Sequence, residues 1–337
     1  RNAFAAQRDG LKRNQFGGTI GGPIVPNKLF VFGAEQTTLL RSQPTDNIAY
    51  APTPAMLAGD WTAITSPACN QGRPVTLRAP FVNNRIDPTL FSKPAVNLAT
   101  KWLPTPIDQC GTVVFGRKSN SDEHIVVGRM DYQQSTQHSL FGRYELARLD
   151  APSNYDGKNW ISVSQADYTR RSHSFVLGDT YLIGSNMVSS FRGTFFYSPN
   201  PKTLKTDFFT FGDLGVKNLY YPTGWPKFAL VNLSGSFSTS QVPTPGKTNT
   251  EGFQFAEDLS MSRGTHQFGF GVNYIHTLMN YGAGTFTPGQ IAFNGSNTGL
   301  PMGDMMVGKP SSWNQSQLST QYYRQNYTGL YFQDTWK

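Results

Sequence analysis

The two cysteines are the first residues of this sequence whose type and spacing could support chemistry. Cys69 and Cys110 are 41 positions apart, in a segment rich in proline, glycine and asparagine. In an oxidising compartment such a pair closes a surface loop as a disulfide, and otherwise the two are unrelated small apolar residues. We predict the disulfide. A metal site is not expected, because neither a second cysteine pair nor a nearby histidine pair completes a ligand set.

The histidines are scattered and suggest no catalytic site. A chain with this many serine, histidine and aspartate residues always allows a Ser/His/Asp triad to be selected on paper. The G-x-S-x-G sequence of a nucleophile elbow, which would support one, is missing. We therefore predict no catalytic residue and no cofactor, and the protein is not expected to be an enzyme. The five histidines are His124, His138, His173, His266 and His276.

The glycine-rich stretch 17–22 loosely resembles a phosphate-binding loop. It lacks the GK[ST] ending and the following helix that phosphate binding requires. Glycines spaced along a strand instead allow a neighbouring backbone or aromatic ring to approach closely. We expect this second role.

The segment 202–227 interleaves lysines with aromatic residues, an arrangement that can bind nucleic acid. It fits equally well in an extracellular loop near anionic headgroups, or in one that stacks on sugar rings. The plainest interpretation is a solvated loop with a local aromatic cluster, and we expect no nucleic-acid partner. The net charge of +8 indicates only that anionic surfaces attract the protein.

The composition of the 337 residues favours β-structure. Aromatic residues reach 13% and charged residues only 15%, which excludes disordered and coiled-coil proteins. No apolar run approaches the roughly 18 residues of a membrane-spanning helix. The chain starts at Arg1 without a signal peptide and ends at Lys337 inside an apolar pattern. We therefore expect a fragment of a longer protein or an incomplete gene product.

Apolar residues alternate with polar residues in paired stretches, as in β-hairpins. Each stretch is about the 9–11 residues that a tilted strand needs to cross a bilayer. The pattern predicts about nine strands, at 15–24, 29–41, 126–133, 140–146, 175–183, 187–197, 253–261, 268–274 and 326–336.

The connections alternate between turns of about four residues and long links at 42–123, 149–173, 198–250 and 279–325. Short turns at one end and long loops at the other are typical of outer-membrane barrels. A soluble sandwich would show more even spacing. Inside the first link, the sequence of 92–102 predicts a short helix that begins after Ser92.

Charged residues occupy one side of several predicted strands. This pattern fits a sandwich facing water or a barrel facing a wet lumen, and the loop asymmetry favours the barrel. We expect Arg129, Asp131, Arg143 and Glu145 to point inward. The residues expected to face lipid are Val126, Met130, Leu140, Tyr144, Phe268, Phe270, Val272, Leu330 and Phe332.

A series of short motifs resembles the barrel of Oar-like TonB-dependent transporters, and their order carries the resemblance. They cover essentially the whole chain: Arg1-Asn2-Ala3-Phe4, Lys12-Arg13-Asn14-Gln15-Phe16-Gly17-Gly18-Thr19-Ile20-Gly21-Gly22-Pro23-Ile24, Pro52-Thr53-Pro54-Ala55, Ala58-Gly59-Asp60-Trp61, Asn84-Arg85-Ile86-Asp87-Pro88, His138-Ser139-Leu140-Phe141-Gly142-Arg143-Tyr144, Arg263-Gly264-Thr265-His266-Gln267-Phe268-Gly269-Phe270-Gly271 and Gly329-Leu330-Tyr331-Phe332-Gln333-Asp334-Thr335-Trp336.

The resemblance implies an all-β fold, with 1–14 a junction after an absent plug domain and 15–337 a partial transmembrane barrel. Such transporters have about 22 strands, so nine would leave an open sheet. It also implies uptake of an unidentified substrate, such as an oligosaccharide or peptide, across the outer membrane. The implied partners are outer-membrane lipid, lipopolysaccharide and the TonB complex, which is reached through the absent N-terminal part.

Two alternatives remain open at this point. One is a surface β-protein without transport activity, such as an adhesin or carbohydrate-binding module. The other is a secreted β-rich hydrolase, which a carboxylate pair in a cleft would favour. A continuous outward apolar band would favour the transporter.

Overall fold

The computed structural model describes residues 10–42, 46–239, 246–284 and 286–337, so residues 1–9 of the predicted junction lie outside them. The strands are β1 (Lys12–Val25), β2 (Leu29–Ser42), β3 (Asp46–Tyr50), β4 (Thr112–Gly116), β5 (Ser119–Gln133), β6 (His138–Ala151), β7 (Asp167–Ile183), β8 (Met187–Thr203), β9 (Leu230–Leu233), β10 (Phe237–Ser238), β11 (Gly246–Arg263), β12 (His266–Ala283), β13 (Gln290–Phe293), β14 (Ser312–Asn314) and β15 (Thr320–Trp336). The helices are α1 (Pro54–Leu57), α2 (Lys93–Lys101) and α3 (Pro301–Met306), with 3-10 turns at Pro67–Cys69, Pro88–Leu90 and Trp160–Ser162.

Nine long strands form one antiparallel sheet in the order β1-β2-β5-β6-β7-β8-β11-β12-β15. Turns of two to four residues join β1 to β2, β5 to β6, β7 to β8 and β11 to β12. Within the described residues, β1 pairs only with β2 and β15 pairs only with β12. The fold is therefore an open, partial transmembrane antiparallel β-barrel, which confirms the predicted fold class and strand number.

The strands are longer than the sequence pattern predicted. They contain 14 to 18 residues, where we expected about 9–11. At about 3.3 Å per residue, even the shortest is longer than a tilted bilayer crossing requires. The hairpins therefore continue beyond the membrane at the end opposite to the short turns, which is the extracellular end in outer-membrane barrels.

The strand register divides the sheet into two faces, because directly opposed residues project to the same side. Arg129 opposes Arg143, and through the successive pairs this side also carries Arg192, Asp258 and Tyr331; we call it the polar face. The other side, the apolar face, carries all nine residues predicted to face lipid. The four charged residues named in the prediction therefore lie on one face and the nine apolar residues on the other, which confirms the predicted separation for these residues.

Several acidic residues depart from that separation, and Glu35 and Glu257 are two of those that lie on the apolar face. Each accepts a hydrogen bond from a neighbouring hydroxyl: Thr37 donates to Glu35 over 2.5 Å, and Ser189 donates to Glu257 over 2.6 Å. These bonds satisfy part of the hydrogen-bonding capacity of two carboxylates that the alternating sequence pattern would not place on the apolar face.

The predicted helix after Ser92 is confirmed as α2, with Ser92 at the N-cap position and a proline in the first turn. Its apolar stripe packs inward, and Ala95 and Leu98 are buried. No helix in the described part of the chain is long and apolar enough to cross a membrane.

The described residues of the four links, 46–118, 152–166, 204–239 and 286–319, fold together into one unit, which we call the cap. Their strands form a four-stranded sheet, β10-β9-β13-β14, and the pair β3-β4. Strand β13, from the fourth link, runs parallel to β9, from the third. The hydrophobic core identified among the described residues lies within these links, whereas the sequence had indicated only one helix there.

The basic and aromatic segment 202–227 contributes to this core and is not simply a solvated loop. Phe208, Phe209 and Phe211 are buried. The ring of Phe209 lies 4.7 Å from that of Trp102 and 4.8 Å from that of Trp160. Residues from three links therefore meet at one aromatic side chain, and this contact explains the clustered aromatics.

Candidate functional site

A cavity of about 730 Å³ lies on the polar face of the long sheet. Most of its lining comes from side chains at alternate positions of β5, β6, β7, β8, β11, β12 and β15, which the strand period of two directs to one side. Among the lining residues are Arg129, Arg143, Arg192, Gln254, Asp258 and Tyr331.

The charges in this cavity are paired. Arg129 donates two hydrogen bonds to Asp131, at 2.8 and 2.6 Å, and its guanidinium lies 4.1 Å from the centre of the Phe141 ring. Arg192 donates to Asp258 over 2.5 Å. Arg143 lies 3.9 Å from Glu145. The face thus offers fixed hydrogen-bonding groups with little net charge, an arrangement suited to polar contacts and not to holding a strongly charged ion.

Glycines on the polar face make room for aromatic rings. A Cβ atom at Gly271 would lie 1.9 Å from the Tyr331 ring, and one at Gly178 would lie 2.1 Å from the Phe141 ring. The glycine stretch 17–22 shows the related case, since a Cβ at Gly17 would lie 2.1 Å from the carbonyl oxygen of Glu35. Close approach is therefore the role of Gly17, as the sequence interpretation expected, whereas a Cβ atom at Gly18 or Gly22 would meet nothing within 4 Å.

The cap contains the cysteine pair. Cys69 and Cys110 are bonded, with Cα atoms 5.3 Å apart, which lies within the range of disulfide geometry. Beside them, the carboxylate of Asp108 accepts hydrogen bonds from the backbone amides of Cys110 and Thr112, both over 2.9 Å. These bonds, that of Thr112 foremost, hold the pKa of Asp108 below its usual value.

A second cavity, of about 450 Å³, lies next to the disulfide in the cap. Three of the four links line it. Tyr50, Asn70, Gln71 and Arg73 come from the first link, Ser236 from the third and Met302 from the fourth. An aromatic ring, two amides, a guanidinium and a hydroxyl therefore share one space with apolar side chains such as Ile64, Val75 and Leu300. Sequence reasoning missed this set, because its members are separated by up to about 250 residues and no local motif joins them.

Hydrogen bonds between residues of different links hold the cap together around the cavity. The side-chain amide of Asn97 donates to the carbonyl of Leu214 over 2.9 Å. The amide of Arg78 donates to Thr298, and that of Ser92 donates to Met306, both over 2.8 Å. These bonds tie the first link to the third and fourth.

All five histidines lie on the apolar face of the long sheet. His138 hydrogen-bonds to Asp179 over 2.9 Å and His266 to Asp334 over 2.7 Å, at the short-turn end. His173 bonds to the hydroxyl of Tyr144 over 2.8 Å nearer the cap. In the described ranges, His, Cys, Asp and Glu side chains form no group of three or more arranged to hold a metal ion.

Comparison with curated proteins gives no significant match. Among solved structures, the outer membrane transporter YddB from Escherichia coli is 10% identical, with a TM-score of 0.47 over 97% of this chain and 32% of that chain. The closed form of the ferric-catecholate import receptor Fiu from E. coli is 10% identical, with a TM-score of 0.40 over 97% of this chain and 41% of that chain. The chain thus spans about a third of the length of YddB and about two fifths of that of Fiu.

The comparison with family models covers the entire sequence. Residues 1–337 match the outer membrane beta barrel domain. This match agrees with the open antiparallel sheet, the short turns at one end and the cap at the other. It places the protein in the outer membrane, and the chain belongs to the outer membrane beta barrel domain family.

Proposed function

We propose that this chain is the barrel portion of an outer-membrane TonB-dependent transporter that takes up a polar organic substrate. The single observation that carries the proposal is the cap, in which four long links fold together and three of them line a cavity of about 450 Å³ at the extracellular ends of the strands. The Oar-like motifs in the sequence and the family membership support it. The role is non-catalytic.

The lining of the cap cavity fits an oligosaccharide or a peptide. Tyr50 is partly exposed and offers a ring surface, while Asn70 and Gln71 offer amide donors and acceptors. Arg73 supplies a planar fork that suits a carboxylate. Sugars and peptides present such hydrogen-bonding groups, and the apolar side chains of Ile64, Val75 and Leu300 in the same lining suit the face of a sugar ring or an apolar peptide side chain.

In this proposal the ligand binds first to the cap and then passes along the polar face. The paired charges of that face hydrogen-bond without trapping a charged group. By the Oar-like resemblance, a plug domain and the TonB complex would act together with the barrel.

The test uses the complete protein in its own outer membrane. Cells that carry the double variant Tyr50→Ala/Arg73→Ala should bind and import a labelled oligosaccharide or peptide pool much less than wild type. The control is Lys158→Ala, because Lys158 is exposed in the second link and does not line the cavity. Dissipating the proton gradient should stop import and leave surface binding intact.

A non-transporting adhesin or carbohydrate-binding protein is the second candidate, and the independent core of the cap favours it. Such a protein would bind ligand through the same cavity. Its cells would show binding that the cap variant removes, and no import that depends on the proton gradient. That result would replace the transporter proposal.

A further inference from the structure

A further cavity, of about 250 Å³, lies in the cap beside helix α2, and we call it the α2 pocket. Three links line it: the first through Ala95 and Leu98 on α2, the third through Phe211, and the fourth through Phe293 and Met305. It shares no lining residue with the cap cavity next to the disulfide. The α2 pocket is therefore a separate site, and the proposed function assigns no role to it.

The wall of the α2 pocket is apolar and largely buried. Phe211, Phe293 and Met305 belong to the hydrophobic core of the cap. Among the described residues that line the pocket, none is charged, and Ser92 supplies the one hydroxyl. A charged group would lose its hydration there without gaining a partner. The pocket therefore favours a neutral, apolar ligand.

Hydrogen bonds fix the spacing of the walls. The side chain of Asn97 joins α2 to the third link at Leu214, over 2.9 Å. The backbone amide of Ser92 joins the start of α2 to the end of α3 at Met306, over 2.8 Å. Because these bonds oppose collapse, an empty pocket would leave its lining atoms without dispersion contacts, and protein interiors contain few voids larger than a water molecule. A ligand that fills the pocket restores those contacts.

The size of the pocket limits the ligand to a small molecule. An apolar cavity of about 150 Å³ lined by leucine, isoleucine and phenylalanine binds benzene, and pockets for drug-sized ligands begin at about 300 Å³. With a volume of about 250 Å³, the α2 pocket fits one ring with short substituents and is too small for a polypeptide segment. Gly308 and Pro310 are the exposed residues of the lining and mark its mouth at the surface of the cap.

We propose that the α2 pocket binds a neutral monocyclic aromatic molecule from the extracellular medium. The rings of Phe211 and Phe293 offer edge and face contacts to such a ring, and the thioether of Met305 offers a sulfur–aromatic contact. A saturated molecule of the same size would fill the space without these contacts. The site does not depend on whether the protein transports a substrate.

The experiment measures binding of 4-fluorotoluene to the full-length protein in lipid nanodiscs by fluorine NMR. Wild type is compared with Ala95→Leu and with Val216→Phe, which add atoms to the lining of the pocket. Val216 is only partly buried, so its replacement disturbs the core less. Ala99→Leu is the matched control, because Ala99 lies about one turn further along α2 and does not line the pocket. Partition of the probe into lipid is common to all samples and cancels in the comparison.

Limited proteolysis shows which variants keep a folded cap, because the links of a folded cap are protected. The same assay gives a second measure of binding. A ligand that binds only the folded cap stabilises it, so 4-fluorotoluene should slow cleavage of the links in wild type. Two related probes complete the set: 4-fluorobenzoate adds a charge to the same ring, and methylcyclohexane is a saturated ring of similar size.

Wild type and Ala99→Leu should bind 4-fluorotoluene with equal affinity, and the folded pocket variants should bind it at least ten times more weakly. Wild type should bind 4-fluorobenzoate at least ten times more weakly than 4-fluorotoluene. Equal binding of 4-fluorotoluene by wild type and the folded pocket variants would overturn the proposal. So would methylcyclohexane that slows cleavage as strongly as 4-fluorotoluene at equal free concentration, since the pocket would then recognise apolar volume and not an aromatic ring.

Discussion

The hydroxyl of Tyr331 reaches across strand β12 and hydrogen-bonds to Asp258 on β11 over 2.8 Å. Gly271 lies beneath the phenol ring, and the same carboxylate accepts a bond from Arg192 on β8. Four neighbouring strands, β8, β11, β12 and β15, are thus joined on the polar face through one carboxylate. This relationship requires a residue without a side chain at position 271.

A side chain at position 271 should therefore break the bond between Tyr331 and Asp258. We expect Gly271→Ala to lower the free energy of unfolding by about 1–3 kcal/mol, because the ring must move away from a Cβ atom that would overlap it. Urea unfolding of the refolded full-length protein measures the change. Gly128→Ala is the matched control, since its Cβ would meet nothing within 4 Å. Equal losses in both variants would show that the tyrosine contact is unimportant.

The side of the sheet that meets lipid can be tested with one arginine on each face. Leu177 lies on the apolar face and is 69% exposed, whereas Thr194 lines the polar cavity. Leu177→Arg should cost about 2–4 kcal/mol of stability in a bilayer, as mid-membrane arginines do on a lipid-facing surface. Thr194→Arg should cost much less. Unfolding in lipid vesicles measures both losses. A larger loss for Thr194→Arg than for Leu177→Arg would show that the face assigned to the lumen is the one that meets lipid.

The cysteine pair should be oxidised in the mature protein. Alkylation without reductant should modify neither Cys69 nor Cys110, and alkylation after reduction should modify both, as mass spectrometry would show. Replacing both by serine should destabilise the cap by about 4 kcal/mol in the chain-entropy model for a loop of this size. If both thiols react before reduction, the disulfide assignment is wrong.

The cap should unfold separately from the long sheet when its aromatic centre is removed. Phe209→Ala deletes the ring between Trp102 and Trp160, and such truncations of buried aromatics cost about 3–5 kcal/mol. We expect limited proteolysis to cleave within the links while the strands remain protected. Uniform cleavage along the chain would contradict an independent cap core. Phe255→Ala provides the comparison, because that ring is 49% exposed on the apolar face.

The cap should lose stability in acid. Hydrogen bonds from nearby backbone and hydroxyl groups hold the pKa values of Asp60, Asp87, Asp108 and Asp213 below the ordinary value. The unfolded chain then binds more protons than the folded one, so stability is present above the unfolded pKa of about 3.9 and falls as the pH drops through and below it. Tryptophan fluorescence during urea unfolding at several pH values measures this. Asp108→Asn should weaken the fall in the free energy of unfolding at low pH. An unchanged pH profile would show that Asp108 does not contribute to it.

Much of the membrane sheet could be predicted from the sequence, because its information is local. Alternation places Arg129 and Met130 on opposite faces whatever the partner strand, and a short turn such as that at Gly264 fixes which strands are neighbours. The separation of faces and the helix after Ser92 followed from the same local patterns. The full length of the strands could not be predicted in this way, because residues outside the bilayer no longer need to alternate between polar and apolar.

The cap was decided only by tertiary structure. Its strands are as short as two residues, too short for a period to be recognised, and its core joins residues far apart in the chain, such as Trp102 and Phe209. The environment of the lysines and phenylalanines in 202–227 could not be predicted either, because their composition fits several environments and only the tertiary packing selects one. The cavity beside Cys69 likewise exists only where three links meet. Local chemistry determined which residues cross the membrane, and the burial of distant side chains against one another determined the structure outside it.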